Sequence, residues 1–250
     1  MIRSLNEVQR ICQKATEGAG APAGLDTDAA RGAAWLLAHD LPALAILAAD
    51  LTRFDDLAES CRFAREDLGD QDQAIDASEK TGAVIAPMLI DLLIARAARD
   101  GGPGRLRVDG LTAPLFLLPP AVGYAEEGWD LHLSLSASDE RRSVVRIAAG
   151  GVAEILGSGD AAAALFETGH EWSLDAVCAH EFPEGQGRTD LTVLLDRDQL
   201  ADAAARSLAG GVTPDPETWE RLRVLAARVL VPATQRSHLM GAGALGSDNE

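Results

Sequence analysis

Cationic residues are scarce in this chain. Its 250 residues hold 22 lysines and arginines against 39 acidic residues, a formal charge of −17 at neutral pH. Binding a phosphate backbone takes clustered cations, so nucleic acid is not an expected partner. Anionic membrane surfaces are disfavoured by the same repulsion. Acidity of this degree serves solubility first. Cysteine is also sparse: Cys12, Cys61 and Cys178 are odd in number and far apart, with no Cys-x-x-Cys pair. That excludes a zinc ribbon and a dithiol redox motif, and predicts free thiols in a reducing cytoplasm. Long apolar runs are missing too. The most apolar stretch, 83–95, is too short to span a bilayer and carries Asp91. The opening Met1-Ile2-Arg3-Ser4-Leu5-Asn6-Glu7 has no apolar signal core. No membrane association is expected, and the expected location is the cytoplasm.

Complete chemical motifs are absent as well. Gly18-Ala19-Gly20 and Gly241-Ala242-Gly243 lack the third glycine of a dinucleotide fingerprint, and neither follows a strand pattern. No Gly-Lys-Ser/Thr triplet, Gly-x-Ser-x-Gly elbow or His-Glu-x-x-His helix occurs. No metal site is expected, and the cofactor is not identified by these residues.

What is present is an apolar fraction of 47%, ample for a packed core. Residues 1–100 read as a helical region. Ser4 with Glu7 three later is a capping-box signature ahead of Val8, Ile11 and Cys12 on one face. Asp26 or Thr27 suits the cap of a second helix reaching His39, and Pro42 the first turn of a third over 43–51. A fourth covers 57–65, residues 67–80 read as a surface loop, and 83–98 is a strongly apolar helix. Gly101-Gly102-Pro103-Gly104 ends it.

Residues 101–250 read as an α+β region, packed with the first into one compact unit. In 129–136 apolar odd positions alternate with polar even ones, a half-buried strand with 143–149 as its partner. Residues 173–182 and 188–195 flank a Pro-Gly-rich turn and suggest a second hairpin. Two helices follow, 197–208 and 216–230, the second with Asp215 as cap and Pro216 at its first position. The expected fold is α+β: an N-terminal helical layer, central antiparallel strands and hairpins, a C-terminal helix pair and a glycine-rich tail.

Three side-chain groups could carry chemistry in the middle of the chain. Glu126 and Glu127, beside the single tyrosine Tyr124, are adjacent carboxylates that can raise one another's pKa for acid–base work. His170-Glu171 and His180-Glu181 are two matching pairs that would suit a metal if they converged. Cys178 and His180, at i and i+2, could form a thiolate–imidazolium pair on one strand face. For each, solvated or buried structural residues are the plainer reading.

The tail is denser in polar chemistry. Thr234, Arg236, Ser237 and His238 precede Gly241 and Gly243, whose backbone amides can approach an anion closely. Arg236 or His238 could bind a carboxylate or phosphate. The run Val231-Pro232-Ala233-Thr234, then Ser237, Gly241-Ala242-Gly243 and Asp248-Asn249, resembles the ending of an uncharacterised bacterial family known only as a domain of unknown function. This sequence has His238 where that family's pattern has arginine and Glu250 where it has aspartate. The resemblance brings no activity with it.

The first functional expectation is an enzyme or enzyme subunit of small-molecule metabolism, acting on a small polar or carboxylated compound. In it the tail folds over a pocket between the layers. Thr234, Arg236, Ser237, Gly241 and Gly243 bind substrate, and His238, Glu126 and Glu127 are the catalytic candidates. The second is a non-catalytic subunit or homo-oligomer, with the apolar helix at 83–98 as an interface. The third is a nicotinamide-dependent oxidoreductase. The helical N-terminus with its glycines resembles the malate/lactate dehydrogenase family that lacks a Rossmann fold.

Overall fold

The computed structural model describes residues 1–54, 56–64, 68, 73–137, 142–158, 164–180 and 191–229. Its helical layer begins with α1 (Leu5–Gly18), where the Ser4 hydroxyl accepts the Glu7 N–H at 3.2 Å. Glu7 does not complete a capping box; its carboxylate takes Arg3 at 2.7 Å instead. Val8, Cys12 and Ala15 recur at helical spacing and are fully buried. The second helix, α2 (Leu25–Ala38), is capped by Gly24 at φ 98°, not by Asp26 or Thr27. Asp26 sits in the first turn and accepts the Gly24 N–H at 2.8 Å and the Gln13 amide at 3.0 Å. Next come α3 (Ala43–Asp50), behind Pro42, and α4 (Leu57–Ser60), one turn rather than the predicted 57–65.

The apolar stretch forms α5 (Gly82–Asp100), closed by Gly101 at φ 64°. Val84, Leu89, Ile90 and Leu93 are fully buried, each worth about 1.5–3 kcal/mol relative to exposure. This helix is core, so it is not available as the interface that a partner-protein reading expected of it.

Seven strands form one mixed sheet among the described residues: β1 (Ile75–Asp76), β2 (Gly104–Leu111), β3 (Asp130–Ala137), β4 (Arg142–Ala148), β5 (Val152–Gly157), β6 (Trp172–Ala179) and β7 (Thr192–Leu195). Their order is β1-β2-β6-β3-β4-β5-β7. Of these strands, only β1 and β2 run parallel. The predicted second hairpin does not form. Instead β6 lies between β2 and β3, and β7 flanks β5 at the far edge. Burial explains the placement: Trp172, Leu174, Ala176 and Cys178 on β6 are all buried, which needs a central position under α5. The predicted surface loop at 67–80 contains β1, where Ile75 is 1% exposed.

A 3-10 turn (Pro114–Leu117) leads into α6 (Leu118–Glu126). Pro119 and Pro120 occupy its first turn, where a missing N–H costs nothing. Tyr124 and Glu126 are therefore helical and Glu127 is the C-cap. After the sheet come α7 (Arg197–Gly210) and α8 (Pro216–Ala226). Asp196 and Gln199 form a full capping box on α7, and Asp215 accepts the Thr218 N–H on α8. Helices before, between and after the strands of a mostly antiparallel sheet make the architecture α+β. One sheet face, with Leu106, Leu133 and Ala176, is buried; the other carries Arg107, Asp175 and His132. No helix among the described residues is long and apolar enough to cross a membrane.

Candidate active site

A cleft of about 320 Å³ opens where α3, the end of β2 and the segment leading into β6 meet. Ile46, Ala49 and Asp50 reach it from one face of α3, and Arg53 from the turn beyond. Thr112 and Ala113 line it after β2, where Ala113 is held at φ 50°. Glu167, Gly169 and His170 close the opposite wall.

Asp50 is the buried charge of this cleft, 5% exposed. One carboxylate oxygen accepts the Ala83 N–H at 2.8 Å, in the first turn of α5. The other accepts the Thr112 hydroxyl at 2.7 Å. Thr112 in turn accepts the Gly82 N–H at 3.0 Å. Two amides of the α5 N-terminus are thus satisfied, one directly and one through Thr112. Position 82 must be glycine here, since a Cβ would fall 1.8 Å from the Thr112 carbonyl oxygen. Burial pushes the Asp50 carboxyl up to about 6; the Ala83 and Thr112 hydrogen bonds and the Arg53 charge oppose it.

Across the cleft, the His170 ring nitrogen lies 3.2 Å from Glu167. Arg53 pairs with Glu171, joining two segments 118 residues apart. Chemically the site combines a guanidinium, an imidazole and a carboxyl that exchanges its proton near pH 6. That set can hold a carboxylate and move a proton.

Glu126 and Glu127 stand at the other end of the sheet. They precede Asp130, which pairs with Ala179, whereas the cleft adjoins the end where Ala137 and Leu111 both pair with Trp172. Both are exposed. Between them and the cleft lies the length of β3, about 25 Å. Tyr124 donates to Asp91 at 2.8 Å, a bond that helps push its hydroxyl up to about 12. Thr234, Arg236, Ser237, His238, Gly241 and Gly243 lie outside the described residues. His170 and His180 sit at opposite ends of β6 and do not converge. Cys178 and His180 do not pair either. The thiol faces the Leu93 carbonyl of α5 at 3.5 Å, and burial pushes it up to about 11. The His180 ring stacks on Trp129 with centroids 4.0 Å apart. Among the described residues no group of three or more potential ligands could hold a metal ion.

Sequence reasoning missed Asp50, Arg53 and Thr112. Asp50 carried a signal: it is the one charged residue of a helix, ALAILAAD, with no other polar position. A charge there must be buried or end the helix, and it does both.

Residues 3–70 match a family described as a protein of unknown function (DUF3726). That match agrees with a resemblance to an uncharacterised family, and lies at the other end of the chain from the tail. No curated protein matches the sequence. Among solved structures, malate dehydrogenase from Pyrococcus horikoshii OT3 superposes with a TM-score of 0.59 at 12% identity, covering 94% of this chain and 97% of that one. The two chains share a fold. A dehydrogenase from Sinorhizobium meliloti gives 0.59 at 12% identity over 91% and 99% of the two chains. Delta1-piperideine-2-carboxylate reductase from Pseudomonas syringae pvar. tomato gives 0.54 at 12% over 90% and 99%. Similarity at this identity speaks for the fold alone.

Proposed function

We propose that this chain is an oxidoreductase of small-molecule metabolism that acts on a small carboxylated compound in the Asp50–Arg53–His170 cleft. The observation that carries the reading is the cleft's pairing of a cation with two proton-exchanging groups, in a fold shared over nine-tenths of its length with dehydrogenases. Arg53 holds the substrate carboxylate. Asp50 or His170 gives or takes the proton at the oxygen or nitrogen of the reacting carbon. Thr112 and the Ala83 amide fix the Asp50 carboxyl so that it does not need to reorganise.

An oxidoreductase of this kind would call for a nicotinamide cofactor. The described residues of the cleft do not fit its pyrophosphate: Asp50 and Glu167 repel it, and Arg53, the cleft's guanidinium, is taken by the substrate carboxylate. No cofactor step is therefore derived. The tail residues Thr234, Arg236, Ser237, His238, Gly241 and Gly243 remain the proposed anion-binding group, on their chemistry alone.

The test is a turnover screen with NADH and NADPH against small 2-oxo acids and cyclic imino acids, run on wild type, Arg53→Gln, His170→Gln and a chain lacking residues 241–250. Substrate-dependent oxidation that Arg53→Gln weakens mainly through KM supports the reading. No turnover with either cofactor, or turnover indifferent to Arg53 and His170, would overturn it.

A further inference from the structure

The segment 169–171 is a partition. On one side lies the candidate active-site cleft; on the other, a second cavity of about 470 Å³ lined by Gly110, Ser136, Trp172 and Ser173. Gly169 and His170 line both cavities, Arg53 lines the first and Glu171 the second. The Arg53–Glu171 ion pair ties the partition to the far wall of the cleft, and the His170–Glu167 contact ties it to its own segment. Gly169 stands at φ 88°, a conformation glycine adopts without steric cost, with open space where a Cβ would be.

The chemistry of the ion pair matters more than its strength. The side chains of Arg53 and Glu171 are 30% and 49% exposed. A pair so open to water couples its partners by a factor of about five or less. Glu171 presents to Arg53 the group that a carboxylated ligand would present. We propose that Glu171 is a displaceable stand-in for the ligand's carboxylate. A ligand that takes Arg53 releases Glu171, the segment 169–171 swings on Gly169, and the two cavities become one. The site then takes a ligand longer than the first cleft, with an anionic end at Arg53 and a polar remainder against Ser136 and Ser173. This rests on the reading that the cleft binds a carboxylate.

The test uses malonate as probe and malonamide as the uncharged control, with full-length wild type, Glu171→Gln and Arg53→Gln. Calorimetry measures affinity, and hydrogen exchange follows the amides of 167–171. Glu171→Gln is expected to bind malonate about fivefold tighter than wild type. Arg53→Gln is expected to lose it, and malonate to speed exchange at 169–171 in wild type. Equal affinity of wild type and Glu171→Gln, with unchanged exchange, would sink the stand-in while leaving the cleft reading in place. Absence of malonate binding in both proteins would sink the two together.

Discussion

Asp50 and Thr112 stand 62 residues apart in sequence, and the Thr112 hydroxyl donates to the Asp50 carboxylate at 2.7 Å. This contact ties the last residue of α3 to the residue after β2, and through Gly82 and Ala83 to the start of α5. Three elements therefore share one buried carboxyl, which makes the cleft's chemistry and the stability of the fold respond to the same proton.

The folded-state pKa of Asp50 is about 6 against an ordinary 3.8. The fold thus favours the protonated form. Its contribution is most favourable below pH 4 and is lost as pH rises through 6. A shift of about two units corresponds to about 3 kcal/mol between pH 4 and pH 7. Asp76 and Asp215 are held below the usual range by hydrogen bonds from Ser78 and Thr218 and act in the opposite direction. The measurement is therefore a difference: urea midpoints of wild type and Asp50→Asn across pH 4 to 7.5. The Asn variant is expected to gain on wild type as pH rises.

Thr112→Val keeps the shape of the side chain and removes its hydroxyl. Asp50 and the Gly82 N–H each lose a buried partner, at about 1–3 kcal/mol for each group left unsatisfied. Thr112→Ser restores the hydroxyl and is expected to recover most of the loss in the same urea titration.

Gly82 and Gly123 make a contrasting pair. Gly82→Ala drives a methyl into the Thr112 backbone and is expected to cost about 3 kcal/mol or prevent folding. Gly123 lies in α6, and a methyl added to it would meet nothing within 4 Å, so Gly123→Ala is expected to add up to about 1 kcal/mol. Thermal midpoints that move in the same direction for both would contradict the packing at the α5 N-terminus.

All three thiols are buried, and burial raises Cys12 to about 12 and Cys61 and Cys178 to about 11. None presents a thiolate at neutral pH. A disulfide reagent is expected to label no cysteine of the native protein on the minute scale and three in guanidinium. Rapid native labelling at Cys178 would reopen a role for it.

Local structure was written plainly into the chain. The cap residues Ser4 and Asp215, the apolar length of α5 and the period-two run of β3 each follow from neighbours a few residues away. Non-local pairing was not. The alternation Arg105-Leu106-Arg107-Val108 of β2 went unread in the sequence, and nothing near it says that β6 will be its neighbour. The helix that Pro119 and Pro120 open, α6, went unread in the sequence as well. The cleft was illegible for the same reason: Asp50, Thr112 and His170 belong to three separated segments, and only the sheet order brings them to one end.

The insertion of β6 between β2 and β3 has a consequence for biosynthesis. A nascent chain that has emerged only as far as β5 holds two strands whose common neighbour has not yet been made. Until Trp172–Ala179 leaves the ribosome, α5 packs on β2 without the strand that lies beside it. The last third of the polypeptide thus supplies the strand that joins β2 to β3.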